Sequence, residues 1–340
     1  AVLWGLWRVC RQGGEFRQAR EMAEELLSLA QPEQDPALLI QAHHANWTNL
    51  FLVGEFASAR EHAEQGIALY SPGEHHAQAF LFGGHDPCVC GLSIAAQTLW
   101  ALGYPDQALN KVDEALTLAR ELNHPSSLAL AVDEIAQIRQ RRGEAAAVRE
   151  GAEALVALST EQEFGDKLAT GIFMRGWALT AQGQGEDGLM EMRRAQAEAD
   201  SRAEITEPYF VFLVADACAR MGRAEEGFNM LAEALAQTDD TGMRYWEAEL
   251  HRLKGEMVLA LTADNHSEAE ACFRKAIEVA RRQNARSLEL RAAMSLGRLW
   301  RQQGKSSGAR ELLAPVYDWF TEGFDTADLR EAKTLLEELA

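Results

Sequence analysis

Apolar residues recur along this chain at the three- and four-residue spacing of helices, and nowhere does the strict alternation of a β-strand persist. In residues 99–109, one helical pattern ends at Leu102, the chain turns at Gly103, and a second pattern begins at Pro105. Proline suits a first helical turn because the amide hydrogen that it lacks would have no partner there. These residues therefore predict a helix-turn-helix unit.

The same turn recurs with a period near 40 residues. Glycine marks the turn in seven units, and Asp264 stands near the corresponding position of another. The turn glycines are Gly14, Gly54, Gly103, Gly143, Gly183, Gly222 and Gly304. Eight units of this kind predict an all-α fold, an α-α superhelix built from helical repeats.

Small and apolar residues follow each turn at offsets of five, nine and twelve residues, as Ala108, Val112 and Ala115 follow Gly103. These offsets lie on one helical face, where small side chains let neighbouring helices approach closely. The predicted helices are 1–12, 15–30, 36–53, 55–70, 87–102, 105–122, 125–141, 144–161, 164–182, 185–200, 207–221, 224–238, 243–261, 266–284, 287–303, 306–320 and 326–339.

We expect one superhelical domain over residues 1–340, closed by a capping helix at 324–340. Either residue of Asp325-Thr326 can cap the start of that helix. The predicted repeats are 1–34, 35–84, 85–123, 124–162, 163–202, 203–241, 242–285 and 286–323.

The segment 71–87 is longer than an ordinary connection between repeats, and loops of this length are often functional. We expect a loop that packs Phe80, Leu81 and Phe82 over the core. It leads into His85-Asp86-Pro87-Cys88-Val89-Cys90, which contains four potential metal ligands. Cys-x-Cys at a helix start fits zinc poorly, because residues two apart point to different faces.

The same six residues fit the start of a helix better, with Asp86 as its N-cap and Pro87 in its first turn. We therefore predict no metal in this segment.

The net charge of −19 argues against nucleic acid and anionic membranes as main partners, since both require a basic surface. Five cysteines, an odd number, fit free thiols in a reducing cytoplasm. No apolar run approaches the ~18 residues of a membrane span. The first residue, Ala1, already lies in a helical pattern, so we expect the chain to be part of a longer protein.

No catalytic signature is convincing. Residues 183–188 match the dinucleotide-binding pattern G-x-G-x-x-G, but a helical pattern precedes them where that site requires a strand. An enzyme would need a cluster of perturbed groups around residues such as Asp133, Asp216 and His44, and no known site geometry can be recognised there. We predict no enzymatic activity and no cofactor.

The pair Leu296-Gly297 with Trp300, followed by Gly304, resembles tetratricopeptide repeats, although the period here exceeds that family's ~34 residues. Several longer stretches resemble the C-terminal repeat region of bacterial multidomain adenylate/guanylate cyclase-like proteins with a central ATPase. These stretches are 83–87, 102–109, 175–178, 245–250, 287–292, 312–317 and 319–326. The resemblance implies a tetratricopeptide-like regulatory or sensor module, with cyclase and ATPase domains upstream in the parent chain.

In tetratricopeptide arrays the first helix of each pair lines a concave groove, and this resemblance implies a set of groove residues here. They are Gln97, Trp100, Asp133, Gln137, Phe173, Trp177, Tyr209, Phe212, Asp216, Arg252, Arg291, Arg298 and Arg301. Because arginines crowd the C-terminal end, we expect an acidic protein or peptide to dock there.

Two alternatives stay open for the aromatic members of this groove. Their rings could pack between the helices and have no contact with a ligand. Trp100, Phe173, Trp177 and Tyr209 could also enclose a pocket for a small-molecule inducer that controls the upstream domains.

Overall fold

A computed structural model describes residues 2–199 and 207–340. These residues form eighteen α-helices and one π-helical turn, Ala79–Gly83, without a β-strand, which confirms the predicted all-α class. The helices are α1 Val2–Gln12, α2 Phe16–Glu33, α3 Pro36–Leu52, α4 Phe56–Ala68, α5 Pro72–His75, α6 Pro87–Leu102, α7 Pro105–Leu122, α8 Pro125–Arg142, α9 Ala145–Glu161, α10 Gly165–Ala181, α11 Gly185–Glu198, α12 Pro208–Arg220, α13 Ala224–Thr241, α14 Glu247–Leu261, α15 His266–Arg282, α16 Arg286–Gln302, α17 Ser306–Tyr317 and α18 Ala327–Glu338.

Sixteen of these described helices form eight consecutive pairs, from α1 with α2 to α16 with α17, and α18 follows the last pair. The start of the predicted helix 1–12, the end of helix 185–200 and the boundary between repeats 163–202 and 203–241 lie outside the described residues. No helix in the described ranges is long and apolar enough to cross a membrane.

The seven turn glycines all have φ between 74° and 99°, a region that other residues rarely adopt. Gly103 has a second constraint besides its φ of 99°. A Cβ at this position would lie 2.5 Å from Cζ3 of Trp319 and 2.9 Å from Cβ of Arg286. The turn therefore allows the C-terminal part of the array to approach the backbone of the third pair.

The stripe of small residues on the second helices packs as the offsets predict. Ala108, Val112 and Ala115 of α7 have no exposed surface. Gly66 of α4 faces the ring of Trp47, because a Cβ there would lie only 2.5 Å from Cζ3 of that ring. Side chains of this size let the helix axes come close enough to bury the larger rings between pairs.

The array folds back on itself through contacts that are distant in sequence. The carbonyl oxygen of Leu52 accepts hydrogen bonds from the amides of Arg244, at 2.8 Å, and Tyr245, at 3.1 Å. The hydroxyl of Ser287 donates to the carbonyl of Trp100 at 2.6 Å. The C-terminal ends of α3 and α6 therefore pack against the seventh and eighth pairs, which the repeat pattern does not predict.

The segment 71–87 is more helical and less buried than we expected. It contains α5 and the π-helical turn, and the side chains of Phe80 and Leu81 are 72% and 75% exposed. The prediction that both cover the core was wrong, because the π-helical turn directs these adjacent side chains outward. Phe82 does pack inward, with its ring 5.5 Å from that of Trp4.

The predicted cap at the start of α6 is confirmed. Oδ1 of Asp86 accepts hydrogen bonds from the amides of Cys88 and Val89, at 2.9 and 3.2 Å, and Pro87 occupies the first turn. At α18 the N-cap residue is Thr326, as one alternative predicted, but its hydroxyl donates to the carbonyl of Gly323 at 2.7 Å instead of capping.

Candidate functional site

A cleft of about 320 Å³ lies between the first helices of the last five pairs and α18. These helices are α8, α10, α12, α14 and α16, so the cleft follows the side of the array that the tetratricopeptide register implies. Six of the thirteen expected groove residues line it. They are Trp177, Phe212, Asp216, Arg252, Arg291 and Arg298.

The other seven expected groove residues do not line this cleft. Arg301 lies at the surface in an ion pair with Glu338 of α18. The remaining six are buried between helices, which favours the packing alternative for the aromatic ones. They are Gln97, Trp100, Asp133, Gln137, Phe173 and Tyr209.

The buried aromatic residues surround Arg141, a residue that the sequence did not single out. Its guanidinium carbon lies 5.3, 5.0 and 5.2 Å from the ring centroids of Trp100, Tyr209 and Trp246. The rings of Trp100 and Trp246 also stack, with centroids 5.7 Å apart. Side chains of the protein itself therefore pack around Trp100 and Tyr209. One of the two alternatives from the sequence had placed a small-molecule pocket there.

The buried polar groups next to this cluster are bonded to one another. Nη2 of Arg141 donates to Oε1 of Gln97 at 2.8 Å, and Gln97 donates to Glu134. The hydroxyl of Tyr209 donates to Gln140 at 2.8 Å, and burial raises the pKa of that hydroxyl. Because unmatched partners would be costly here, this network favours one arrangement of the interior.

The three arginines at the C-terminal end each pair with an acid of α18. Nε of Arg291 lies 2.7 Å from Asp328, Nη2 of Arg298 lies 2.8 Å from Glu331, and Arg301 pairs with Glu338. The basic surface that we expected an acidic partner to bind is thus neutralised within the chain. The sequence could not show this pairing, because nothing in it places α18 against α16.

A second set of ion pairs lies at the floor of the cleft, around Arg252. Its Nε and Nη1 contact Glu249 and Glu256, at 2.8 and 2.6 Å. Burial by itself raises the pKa of Glu249, and Arg252 with Arg291 reverses this effect, so the pKa is lowered overall. Glu249 therefore stays charged and holds both arginines in place.

One group among the described residues could hold a metal ion, and it lies away from the cleft. The group consists of His44 on α3, His85 just before α6, and Cys90 on α6. Each residue offers one ligand atom, and these atoms all lie within 4.8 Å of one another. Cys88 belongs to a separate apolar cluster and takes no part in this group. The sequence had suggested four neighbouring ligands, whereas the structure selects two of them and adds His44.

No family model matches this chain. One curated relative is an uncharacterised protein, R02095, of Rhizobium meliloti strain 1021. It is 26% identical over 306 residues, which cover 88% of this chain. The chain spans only 29% of the length of that relative.

Solved structures share the architecture at low sequence identity. A Rap protein complexed with competence and sporulation factor superposes with a TM-score of 0.61, at 12% identity over 100% of this chain and 96% of that one. NprR in complex with its cognate peptide NprX gives a TM-score of 0.57, at 10% identity over 99% and 96%. Aspartyl phosphate phosphatase F from Bacillus subtilis gives 0.54, at 9% identity over 96% and 94%.

These comparisons confirm the predicted α-α superhelix of tetratricopeptide-like repeats. Because the sequence identities are only 9–12%, the comparisons show a shared fold and do not indicate the chemistry of the cleft.

Proposed function

We propose that this chain is a non-catalytic regulatory module that binds an extended peptide segment in the cleft between α8, α10, α12, α14, α16 and α18. The observation that carries the proposal is the cleft itself, because the first helices of five successive pairs contribute to it. The complex of the structural neighbour NprR with its cognate peptide NprX supports the proposal, since that protein binds a peptide on the same architecture.

The side chains at the cleft indicate which segment would bind. Arg220 and Arg298 have 71% and 41% of their side chains exposed, in ion pairs with Asp216 and Glu331. Such exposed pairs contribute only about 0–1 kcal/mol, so a carboxylate of an incoming peptide can replace either acid. We therefore propose a peptide with acidic side chains, anchored by an apolar residue on Trp177.

The buried arginines would keep their ion-pair partners when the peptide binds. Only 12% of the Arg252 side chain and 14% of the Arg291 side chain are exposed, and both contact Glu249, which is fully buried. Removing a buried partner is far more costly than exchanging a surface one. Arg252 and Arg291 therefore shape the floor of the cleft, and Arg220 and Arg298 select the ligand.

We also propose that the module belongs to a larger cytoplasmic signalling protein with upstream ATPase and cyclase domains. The stretches that resemble such proteins support this, as does a relative more than three times the length of the matched region. The five free cysteines fit a reducing compartment.

A small-molecule inducer is the second candidate ligand. The volume of about 320 Å³ lies at the lower end of the range of about 300–1,000 Å³ that is usual for ligand pockets. Of the four residues that could have enclosed an inducer, only Trp177 lines this cleft.

A display library of short peptides, selected on the whole chain, tests the proposal. We expect enrichment of acidic peptides whose affinity falls at least tenfold in Trp177→Ala and by up to about fivefold in Arg298→Ala, as an exposed pair of about 0–1 kcal/mol implies. Arg194→Ala is the matched control, because Arg194 forms a similar exposed pair with Glu198 on α11, away from the cleft. Peptides that bind all three variants as well as the original chain would show that the cleft is not the binding site.

A further inference from the structure

Three elements bring two histidines and a cysteine together inside the N-terminal half. His44 lies on α3, His85 follows the π-helical turn, and Cys90 lies in the first turns of α6. Asp86 caps α6 and so sets where this helix begins and which face carries Cys90. The grouping is independent of the proposed cleft, which lies between other helices.

The spacing of the ligand atoms suits a transition-metal ion. Sγ of Cys90 lies 3.4 Å from Nε2 of His44, and the third ligand atom, on His85, is within 4.8 Å of both. Zinc bonds of about 2.3 Å to sulfur and about 2.0 Å to nitrogen separate two tetrahedral ligands by about 3.5 Å. The first pair already has this separation.

One nitrogen atom of this group has bonding capacity that an ion could meet. Nε2 of His85 is buried without a hydrogen-bond partner. Buried polar atoms are nearly always satisfied, because leaving one unpaired costs about 1–3 kcal/mol. Coordination of an ion through this atom would offset the cost. On His44 the ion would bind Nε2, beside Sγ of Cys90, and the unpaired Nδ1 of that ring would stay as it is.

Cysteine binds metal ions as a thiolate and histidine as a neutral imidazole. An ion at this group would therefore displace the thiol proton of Cys90 and release one proton on binding.

Aromatic rings and one glycine form the walls of the group. His44 stacks on Trp47 with ring centroids 5.0 Å apart, and Trp4 and Trp7 meet it edge-on at 6.1 and 6.2 Å. A Cβ on Gly83 would lie 3.4 Å from Nε2 of His85 and 3.7 Å from Cε1 of His44. The glycine thus leaves the approach to both rings free of a side chain.

We propose that His44, His85 and Cys90 bind a transition-metal ion that prefers nitrogen and sulfur ligands, in the class of zinc(II) and copper(I). The ion would connect α3 and α6 to the segment 71–87 and hold it against α1. One thiolate and two neutral imidazoles supply a single negative charge. Arg8 and Arg11 add positive charge nearby, which favours an ion of low charge.

Cobalt(II) titration of the whole chain tests the coordination directly. We expect one equivalent to bind with a thiolate-to-cobalt charge-transfer band, and Cys90→Ser to abolish that band. His44→Gln and His85→Gln should weaken binding at least about 100-fold. Competition by zinc(II) and by copper(I) then identifies the preferred ion.

Neighbouring residues provide matched controls. Cys88→Ser removes a buried thiol two residues away, and His43→Gln removes a buried imidazole that faces His62 at 2.9 Å. Both variants should bind cobalt(II) like the original chain. A band that persists in Cys90→Ser, or disappears equally in Cys88→Ser, would overturn the proposal.

A measurement on the unaltered chain covers the case in which a ligand variant fails to fold. X-ray absorption of the zinc-loaded chain should show one sulfur and two imidazole nitrogens around the ion. Binding should also change the fluorescence of the tryptophans near His44. Coordination by oxygen atoms alone, or the absence of a bound equivalent, would exclude this site.

Discussion

The guanidinium of Arg291 donates from Nε to Oδ2 of Asp328 at 2.7 Å, so an acid of α18 occupies the place expected for a partner's acid. The same arginine contacts Glu249 and the carbonyl oxygen of Arg141, at 3.3 and 2.9 Å. It therefore joins α16, α18, α14 and the end of α8. The last helix thus takes part in forming the cleft in addition to covering the final pair.

Removing the carboxylate of Asp328 should destabilise the folded chain. Asp328→Ala leaves Arg291 with one carboxylate in a mostly buried place, and we expect a loss of about 2 kcal/mol in the free energy of unfolding. Glu331→Ala is the control, because its pair with Arg298 is exposed and should contribute less than about 1 kcal/mol. Equal losses in chemical denaturation would show that α18 is held by its apolar face alone.

Two constraints on Gly103 can be measured separately: its positive φ and its contact with Trp319 and Arg286. Gly103→Ala and Gly183→Ala both place a side chain at positive φ, with a cost of about 1 kcal/mol. A Cβ at Gly183 meets nothing within 4 Å, whereas at Gly103 it meets Trp319 and Arg286. We expect Gly103→Ala to lose a further ~1–3 kcal/mol by overpacking. Matching melting temperatures would argue against the contact between the third pair and the C-terminal part of the array.

The two aspartate caps differ in burial and should differ in strength. Asp35 caps α3 through the amide of Ala37, and Asp35→Ala should cost about 1 kcal/mol. Asp86 is fully buried and also accepts hydrogen bonds from Tyr70 and His76, at 2.6 and 2.9 Å.

Removal of Asp86 leaves those partners unpaired, so Asp86→Ala should cost about 3 kcal/mol. Thermal and chemical denaturation of the two variants measure the difference. A cost for Asp86→Ala no larger than that for Asp35→Ala would mean that the network around Tyr70 contributes nothing to stability.

His251 should contribute to the pH dependence of stability. Burial lowers its pKa below 6.5, and Lys275 and Lys254 add to this while Glu247 opposes it. The imidazole of His251 therefore binds a proton more tightly in the unfolded chain than in the folded chain. Stability from this group is present at neutral pH and is lost as the pH falls below 6.5 towards the folded-state pKa.

The slope from one such group cannot exceed about 1.4 kcal/mol per pH unit. His251→Gln should therefore reduce the fall in melting temperature between pH 7 and pH 5. His266→Gln, at the first residue of α15, serves as the comparison variant. If the melting temperature of His251→Gln falls with pH as steeply as that of the original chain, groups other than His251 cause the pH dependence.

The sequence predicted the local structure well where short-range chemistry governs it. Glycines at the turns, prolines in first turns and small residues at offsets of five, nine and twelve depend on backbone sterics and helix geometry. The turn at Gly103 and the stripe from Ala108 to Ala115 were recognisable for that reason. The exposure of Phe80 and Leu81 was not, because a π-helical turn has no comparable signal.

The tertiary structure decided which of the predicted groove residues reach the surface. Trp100 and Tyr209 follow the same register as Trp177, yet the first two pack around Arg141 and only Trp177 lines the cleft. Register assigns a residue to a helical face, whereas burial depends on what covers that face. Here the cover comes from Trp246, far away along the chain.

The sequence by itself therefore determined the paired helices and the recurrence of their turns, since both depend on helical spacing and turn chemistry within one pair. Only the tertiary structure decided that α18 neutralises the arginines of α16 and that His44 joins His85 and Cys90. Both depend on which faces neighbouring helices turn towards one another when they pack. The spacing of residues within one helix does not set that orientation, so the sequence pattern could not identify these contacts.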